Sequence, residues 1–106
     1  MKKEERINKL MEMKALYPND PFPTYALALE SIASDMPEVA LDLLLDVKSK
    51  FPDYLATYYQ LGLVYQKLLN PAEAAQTYRE GIKLAAEQLD AKTLNELQEA
   101  LLMLED

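Results

Sequence analysis

Apolar residues recur at helical spacing along nearly the whole chain, and proline interrupts the pattern. In the first segment, Ile7, Leu10, Met11 and Met13 form such a stripe, because side chains three or four residues apart share one helix face. All six prolines lie at or near places where the apolar pattern restarts, and proline is tolerated in the first turn of a helix but not in its interior. The pattern predicts an all-α chain of about six helices, over residues 2–16, 20–34, 37–50, 54–69, 71–89 and 91–105.

Polar residues at the predicted helix starts suggest how the helices are capped. Asp35 is followed by Glu38 at the spacing of a capping box, and Thr93 is followed by Glu96 at the same spacing. The segment Asn70-Pro71-Ala72-Glu73 offers a cap residue, a first-turn proline and an acid in the third position. We therefore expect side-chain caps at Asp35, Asn70 and Thr93.

One pattern of residue types occurs twice at a fixed distance. The two segments, 34 positions apart, are Tyr25-Ala26-Leu27-Ala28-Leu29 and Tyr59-Gln60-Leu61-Gly62-Leu63. The same offset relates further pairs of residues: Pro18 and Pro52, Pro37 and Pro71, and Ala40 and Ala74. A period of this length is typical of solenoids built from helix pairs, which usually hold other proteins rather than catalyse reactions.

Both glycines of the chain lie inside predicted helices. Gly62 and Gly81 should each cost about 1 kcal/mol relative to alanine there. Such a residue is expected to persist only where a neighbouring helix approaches closely. Enlarging Gly62 should therefore overpack the helix pair.

The residues around these glycines resemble the tetratricopeptide repeat. The second copy reads Tyr58-x-x-Leu61-Gly62-x-x-Tyr65, then Ala74-x-x-x-Tyr78 and Gly81, the large and small residues of that family. The first copy presents Leu27, Ala28, Ala40, Leu44 and Pro52 at the equivalent places. It departs from the family at Thr24 and Ser31, where aromatic residues are preferred. The resemblance implies a right-handed α-solenoid of antiparallel helix pairs.

Two repeats alone would be marginal, because about three are needed to bury their faces. Residues 3–18 align with the second helix of an earlier repeat, and Met11 and Met13 are expected to fill its joint with the first repeat. The last helix is expected to close the other end through the stripe Leu94, Leu97, Leu101 and Leu104. One domain of residues 1–106 is therefore predicted, with a flanking helix 3–18, repeats 21–54 and 55–88, and a capping helix 91–105.

The resemblance also implies where a partner would bind. In this family, the first helix of each pair lines a concave groove. The corresponding residues here are Phe22, Tyr25, Leu29, Ile32 and Ala33, then Ala56, Tyr59, Leu63, Gln66 and Lys67. A groove that is mostly apolar and partly aromatic suits an apolar peptide or helix of a partner protein. Tyr25, Leu29, Ala56 and Gln60 occupy the places where some members clamp acidic chaperone tails, so no such clamp is predicted.

An alternative remains open for the same residues. Large exposed apolar patches are unusual on monomers, so the groove could instead be covered by the C-terminal helix or by a second copy of the chain. In that case the protein would be a self-associating structural module. A homodimer would satisfy both interpretations.

Composition narrows the possible functions. The chain has 11 basic and 18 acidic residues, a net charge of -7, which disfavours nucleic acid and anionic membranes as partners. The charge is uneven, since residues 1–16 hold five bases and three acids whereas residues 17–47 hold six acids and no base. There is no histidine, no cysteine and no glycine-rich phosphate loop, so we expect no enzyme, no cofactor and no metal site. The charged N-terminus lacks a secretion signal or membrane span, and the cytoplasm is the expected location.

Overall fold

The computed structural model describes residues 2–105, and within these residues the chain forms six α-helices and no strand. This confirms the predicted all-α class. Proline begins two of the helices, Pro37 and Pro71, as expected from its fixed φ and missing N–H. The helices are α1 Lys3–Leu16, α2 Phe22–Ala33, α3 Pro37–Lys50, α4 Ala56–Lys67, α5 Pro71–Glu87 and α6 Ala91–Glu105.

The chain divides into two compact units, the first ending at Tyr54 and the second beginning at Leu55. In the first unit, α2 packs against both α1 and α3. In the second unit, α5 packs against both α4 and α6. Each unit is thus a set of three helices in which the middle helix contacts the other two. The assignment of flanking helices and repeats within a single domain stays a prediction.

The core of the first unit combines small and branched apolar residues. Ala28 of α2 and Ala40 of α3 are fully buried, and small side chains at such positions let helix backbones approach closely. Larger side chains complete this core: Leu10, Leu44 and Val47. The apolar periodicity of α1 to α3 is therefore used for packing within this unit.

An ion pair joins α1 to α2 at the surface. The Arg6 guanidinium donates hydrogen bonds to both carboxylate oxygens of Glu30, with Nη2 lying 3.1 Å from Oε2. This forked geometry suits guanidinium and carboxylate groups. The hydrogen bond lowers the pKa of Glu30 and raises that of Arg6. The contact links residues 24 positions apart on α1 and α2.

The core of the second unit is built around Tyr78 and includes the last helix. Leu55, Ala74, Tyr78, Ala85 and Leu97 form one buried cluster. Further residues of the predicted α6 stripe pack against it: Leu94, Leu101 and Leu104. The stripe is therefore confirmed as the face through which α6 packs within this unit.

Both glycines lie where a side chain would collide with a neighbouring helix. A Cβ at Gly62 would lie 2.5 Å from Tyr78 Cζ and 2.7 Å from Tyr78 Cδ1. At Gly81 it would lie 2.7 Å from Tyr58 Cβ and 3.0 Å from Leu97 Cδ1. Close packing at both glycines is confirmed, and it accounts for their presence inside helices.

Three helices end in the same kind of turn. Asp35, Leu69 and Leu89 have φ values of 57°, 59° and 57° after α2, α4 and α5. In each turn the N–H of this residue donates to the carbonyl three residues earlier, and the next N–H donates to the carbonyl five residues before it. This is the Schellman pattern, which satisfies carbonyls left over at a helix end.

These turns correct one predicted cap. Asp35 does not cap α3, because it closes α2, and Met36 occupies the cap position without a side-chain hydrogen bond. The expected cap at Asn70 is confirmed, since its Oδ1 accepts the Glu73 N–H at 3.4 Å. Because Asp35 has a positive φ and closes α2, Met36 is the residue that directly precedes α3.

The predicted cap at Thr93 is also wrong. α6 begins at Ala91, and Asp90 accepts hydrogen bonds from the Thr93 N–H and hydroxyl, each at 3.0 Å. These bonds lower the pKa of the Asp90 carboxyl. Asp90 is therefore the residue that caps α6, and Thr93 donates both hydrogen bonds to it.

Candidate partner-binding surfaces

The groove residues predicted in the first unit lie along α2. Phe22 and Leu29 are 47% and 36% exposed, and Ile32 is half-buried. The half-buried Tyr25 ring meets the edge of Tyr54, with ring centroids 5.4 Å apart at 74°. Residues at positions 22, 25, 29 and 32 follow helical spacing and share one face of α2. Ala33 is exposed at the end of the helix.

The groove residues predicted in the second unit lie along α4 at the same spacing. Leu63 is 36% exposed, Lys67 is exposed, and Ala56 is half-buried. The half-buried Tyr59 ring lies 6.4 Å from that of Tyr78. Gln66 has a structural contact, because its Oε1 accepts the Tyr78 hydroxyl hydrogen bond at 2.5 Å.

Each helix thus presents its own predicted residues on one face. The joining of the α2 and α4 faces into a single groove stays a prediction. Tyr25 and Tyr59 both make contacts inside their own unit. Among the large apolar members, Phe22, Leu29 and Leu63 are the exposed ones.

The first unit also has an apolar pocket that the sequence interpretation missed. It has a volume of about 430 Å³ and lies among α1, α2 and α3. Its lining residues are Lys3, Ile7, Met11, Lys14, Leu27, Glu30, Ser31, Ser34, Met36, Val39 and Leu43. Met11 is 58% exposed, so the expectation that it fills a joint is wrong. It borders an open space instead.

A signal for this pocket was present in the sequence. Ser31 stands where the tetratricopeptide pattern prefers an aromatic ring, and it lines the pocket. Its hydroxyl donates to the Leu27 carbonyl at 3.1 Å, so it turns back onto its own helix. A small side chain in place of a large one leaves unfilled volume. The departure from the family pattern thus marked the site.

Among residues 2–105, no group of three or more carboxylate, histidine or cysteine side chains could hold a metal ion. Across the same part of the chain, none of the helices has the length and apolar character needed to span a bilayer. The candidate surfaces are therefore apolar helix faces and the pocket.

Within each unit, successive α-helices pack on each other with alanine or glycine buried at their contacts, as in helical-repeat proteins. Solved structures identify the repeat. The crystal structure of a tetratricopeptide repeat domain protein from Salinibacter ruber is 43% identical, covering 81% of this chain and 96% of its own, with a TM-score of 0.78. The chain belongs to the tetratricopeptide repeat family, whose modules typically serve in protein–protein interaction.

Two further solved structures agree. A solution NMR structure of a tetratricopeptide repeat domain protein from Salinibacter ruber is 43% identical, with a TM-score of 0.78, and covers 83% of this chain and 89% of its own. A Bordetella parapertussis protein is 23% identical with a TM-score of 0.81, and the match covers 93% of this chain and 86% of that one. This last likeness concerns the fold alone. No protein-family model matches the chain, and no curated protein matches it.

Proposed function

We propose that the chain is a noncatalytic scaffold that binds an apolar peptide or helix of a partner protein through the exposed faces of α2 and α4. The partner would contact Phe22 and Leu29 on α2 and Leu63 on α4. The net charge of -7 disfavours nucleic acid. We place this partner binding in the cytoplasm.

One observation carries this proposal. Leu29 and Leu63 are both 36% exposed at equivalent positions of two helices that pack through other residues, among them the fully buried Ala28 and Leu61. Apolar side chains repeated on a helix face suit helix or peptide recognition, in which a few anchors supply most of the affinity. Phe22, which is 47% exposed, adds an aromatic anchor on α2.

The test uses exposed residues so that the fold is kept. A partner is first captured from cell lysate with the wild-type chain, identified, and its affinity measured with the purified protein. The double variant Leu29→Ser/Leu63→Ser should weaken binding at least about tenfold, which is about 1.4 kcal/mol. Leu16→Ser is the matched control, because Leu16 is 64% exposed on α1.

Two results would count against the proposal. Unchanged affinity of the double variant, with circular dichroism equal to wild type, would exclude these faces. Equal loss in Leu16→Ser would mean that binding follows general surface hydrophobicity. The variants Tyr25→Ala and Tyr59→Ala are less decisive, since both rings pack against other tyrosines.

The same exposed residues also fit the alternative of a homodimer through these faces. In the second unit the apolar stripe of α6 is already packed on the core, with Leu97 fully buried, and Leu63 remains 36% exposed. Sedimentation equilibrium separates the two functions. Wild-type dimers that become monomers in Leu29→Ser/Leu63→Ser would assign the faces to self-association.

A further inference from the structure

The pocket of the first unit has an apolar lining and a basic rim. Met11, Met36 and Val39 are 58%, 46% and 42% exposed. Lys3 and Lys14 also line it, and the third charged residue, Glu30, is engaged by Arg6. A volume of about 430 Å³ lies within the usual range for ligand pockets. The site thus suits an apolar group that carries negative charge beside it.

The outer edge of α6 has this chemistry. Leu102 and Met103 are 70% and 73% exposed, although the opposite face of α6 packs on the core of its own unit. Glu99 is exposed one turn earlier. Residues 84–106 hold six acids and one base. α6 therefore presents two adjacent apolar side chains on an acidic helix.

We propose that the pocket of one copy receives the outer edge of α6 from a second copy. Leu102 and Met103 enter the apolar space, and Glu99 lies toward the lysines of the rim. Opposite charges favour this encounter, and their attraction weakens with added salt. The contact joins two different surfaces, so it is heterologous, and each copy has one pocket and one α6 edge with which to make it.

This inference does not depend on the proposed function, because it uses other residues. Partner binding through Leu29 and Leu63 and self-association through Val39 and Leu102 can each fail without the other. A small apolar molecule is the competing occupant of the pocket. Sedimentation of matched variants distinguishes a pocket that binds a small molecule from one that binds a second copy of the chain.

The test is sedimentation velocity of the whole chain across about a hundredfold range of concentration, at low and high salt. Wild type should associate at high protein concentration, and less so at high salt. Val39→Asp should abolish association, because it places a carboxylate in the apolar lining. It should still fold, since Val39 is exposed in the first turn of α3, where a negative charge is favourable. Leu102→Ser/Met103→Ser should abolish association from the other side.

Mixing the two variants gives the decisive result. Each should be monomeric alone, and the mixture should form a heterodimer that grows no further, because one partner keeps only its pocket and the other only its α6 edge. Leu45→Asp is the matched control for charge on α3, since Leu45 is 38% exposed and lies outside the pocket lining. Leu69→Ser is the control for loss of an exposed leucine in the second unit.

Three outcomes would overturn the proposal. The first is a wild-type chain that stays monomeric at every concentration. In that case, if wild type binds the apolar dye anilinonaphthalene sulfonate and Val39→Asp alone removes this binding, the pocket is assigned to small molecules. The second is wild-type association that both variants retain. The third is a mixture of the two variants that stays monomeric although wild type associates.

Discussion

The ring of Tyr78 fills the space that a side chain at Gly62 would need. A Cβ at position 62 would come within 2.5 Å of Tyr78 Cζ, and the Tyr78 hydroxyl donates to Gln66, one turn further along α4. Tyr78 is fully buried. α4 therefore lies against both the ring and the hydroxyl of one side chain on α5.

Gly62→Ala should destabilise the protein despite the better helix propensity of alanine. The propensity gain is about 1 kcal/mol, whereas overpacking a rigid core typically costs about 1–3 kcal/mol. The added Cβ would overlap the Tyr78 ring, so the cost should lie in the upper part of that range. We therefore expect a net loss of about 1–2 kcal/mol in the free energy of unfolding, measured by urea denaturation. In Gly62→Ala/Tyr78→Leu the two losses should be less than additive. A Gly62→Ala variant as stable as wild type would contradict the clash.

The hydroxyl of Tyr78 should make stability sensitive to alkaline pH. Burial raises its pKa to about 12, with a further contribution from Tyr59, whereas a tyrosine in the unfolded chain has a pKa of about 10. Because the folded pKa is the higher one, this contribution is complete below about pH 10 and is lost as pH rises toward 12. Unfolding measured by circular dichroism from neutral to alkaline pH should show this loss. Tyr78→Phe should flatten it, and an equally steep loss in that variant would refute the assignment.

Leu69→Gly and Leu89→Gly should each stabilise the chain. Both leucines are strongly exposed, at 88% and 90%, and have positive φ. A side chain in this conformation costs about 1–2 kcal/mol, part of which is offset by the greater freedom of glycine when unfolded. We expect each change to raise the free energy of unfolding by about 0.5–1 kcal/mol, measured by urea denaturation. Leu68→Gly is the control, because Leu68 has φ -86° and should lose stability.

Thr57→Val should also raise stability. Thr57 is fully buried on α4, and its hydroxyl has no hydrogen-bond partner in the described part of the chain. Removing an uncompensated polar group while keeping the shape should gain about 1 kcal/mol in thermal or urea unfolding. Thr77→Val is the matched control, since the Thr77 hydroxyl donates to the Glu73 carbonyl at 2.8 Å. Equal effects of both changes would show that the free hydroxyl is not the cause.

The helices were predictable from sequence because apolar spacing and proline act locally. The contacts of Gly62 and Gly81 were also predictable, since a glycine is costly inside a helix unless a neighbouring helix packs closely against it. The caps at Asp35 and Thr93 were not, although the starts of α3 and α6 were, because Asp35 adopts a positive φ that closes α2 and Asp90 takes the cap position before α6. That conformation leaves no spacing pattern when the residue is not glycine.

The pocket could be predicted from the sequence only in part. The missing aromatic ring at Ser31 was visible, but whether neighbouring side chains would fill the space depends on how α1 lies along α2. That placement brings together residues far apart in the sequence, such as Arg6 and Glu30, which are 24 positions apart. The predicted binding faces could be placed on their helices from the repeat pattern alone.

The turns at Asp35, Leu69 and Leu89 share one set of backbone hydrogen bonds although their side chains differ. An acidic and two apolar residues thus adopt the same backbone conformation, each at the conformational cost that a positive φ imposes on a side chain. We therefore expect a turn segment taken from one of these positions to close the helix at another, because the hydrogen bonds that it has to form are the same.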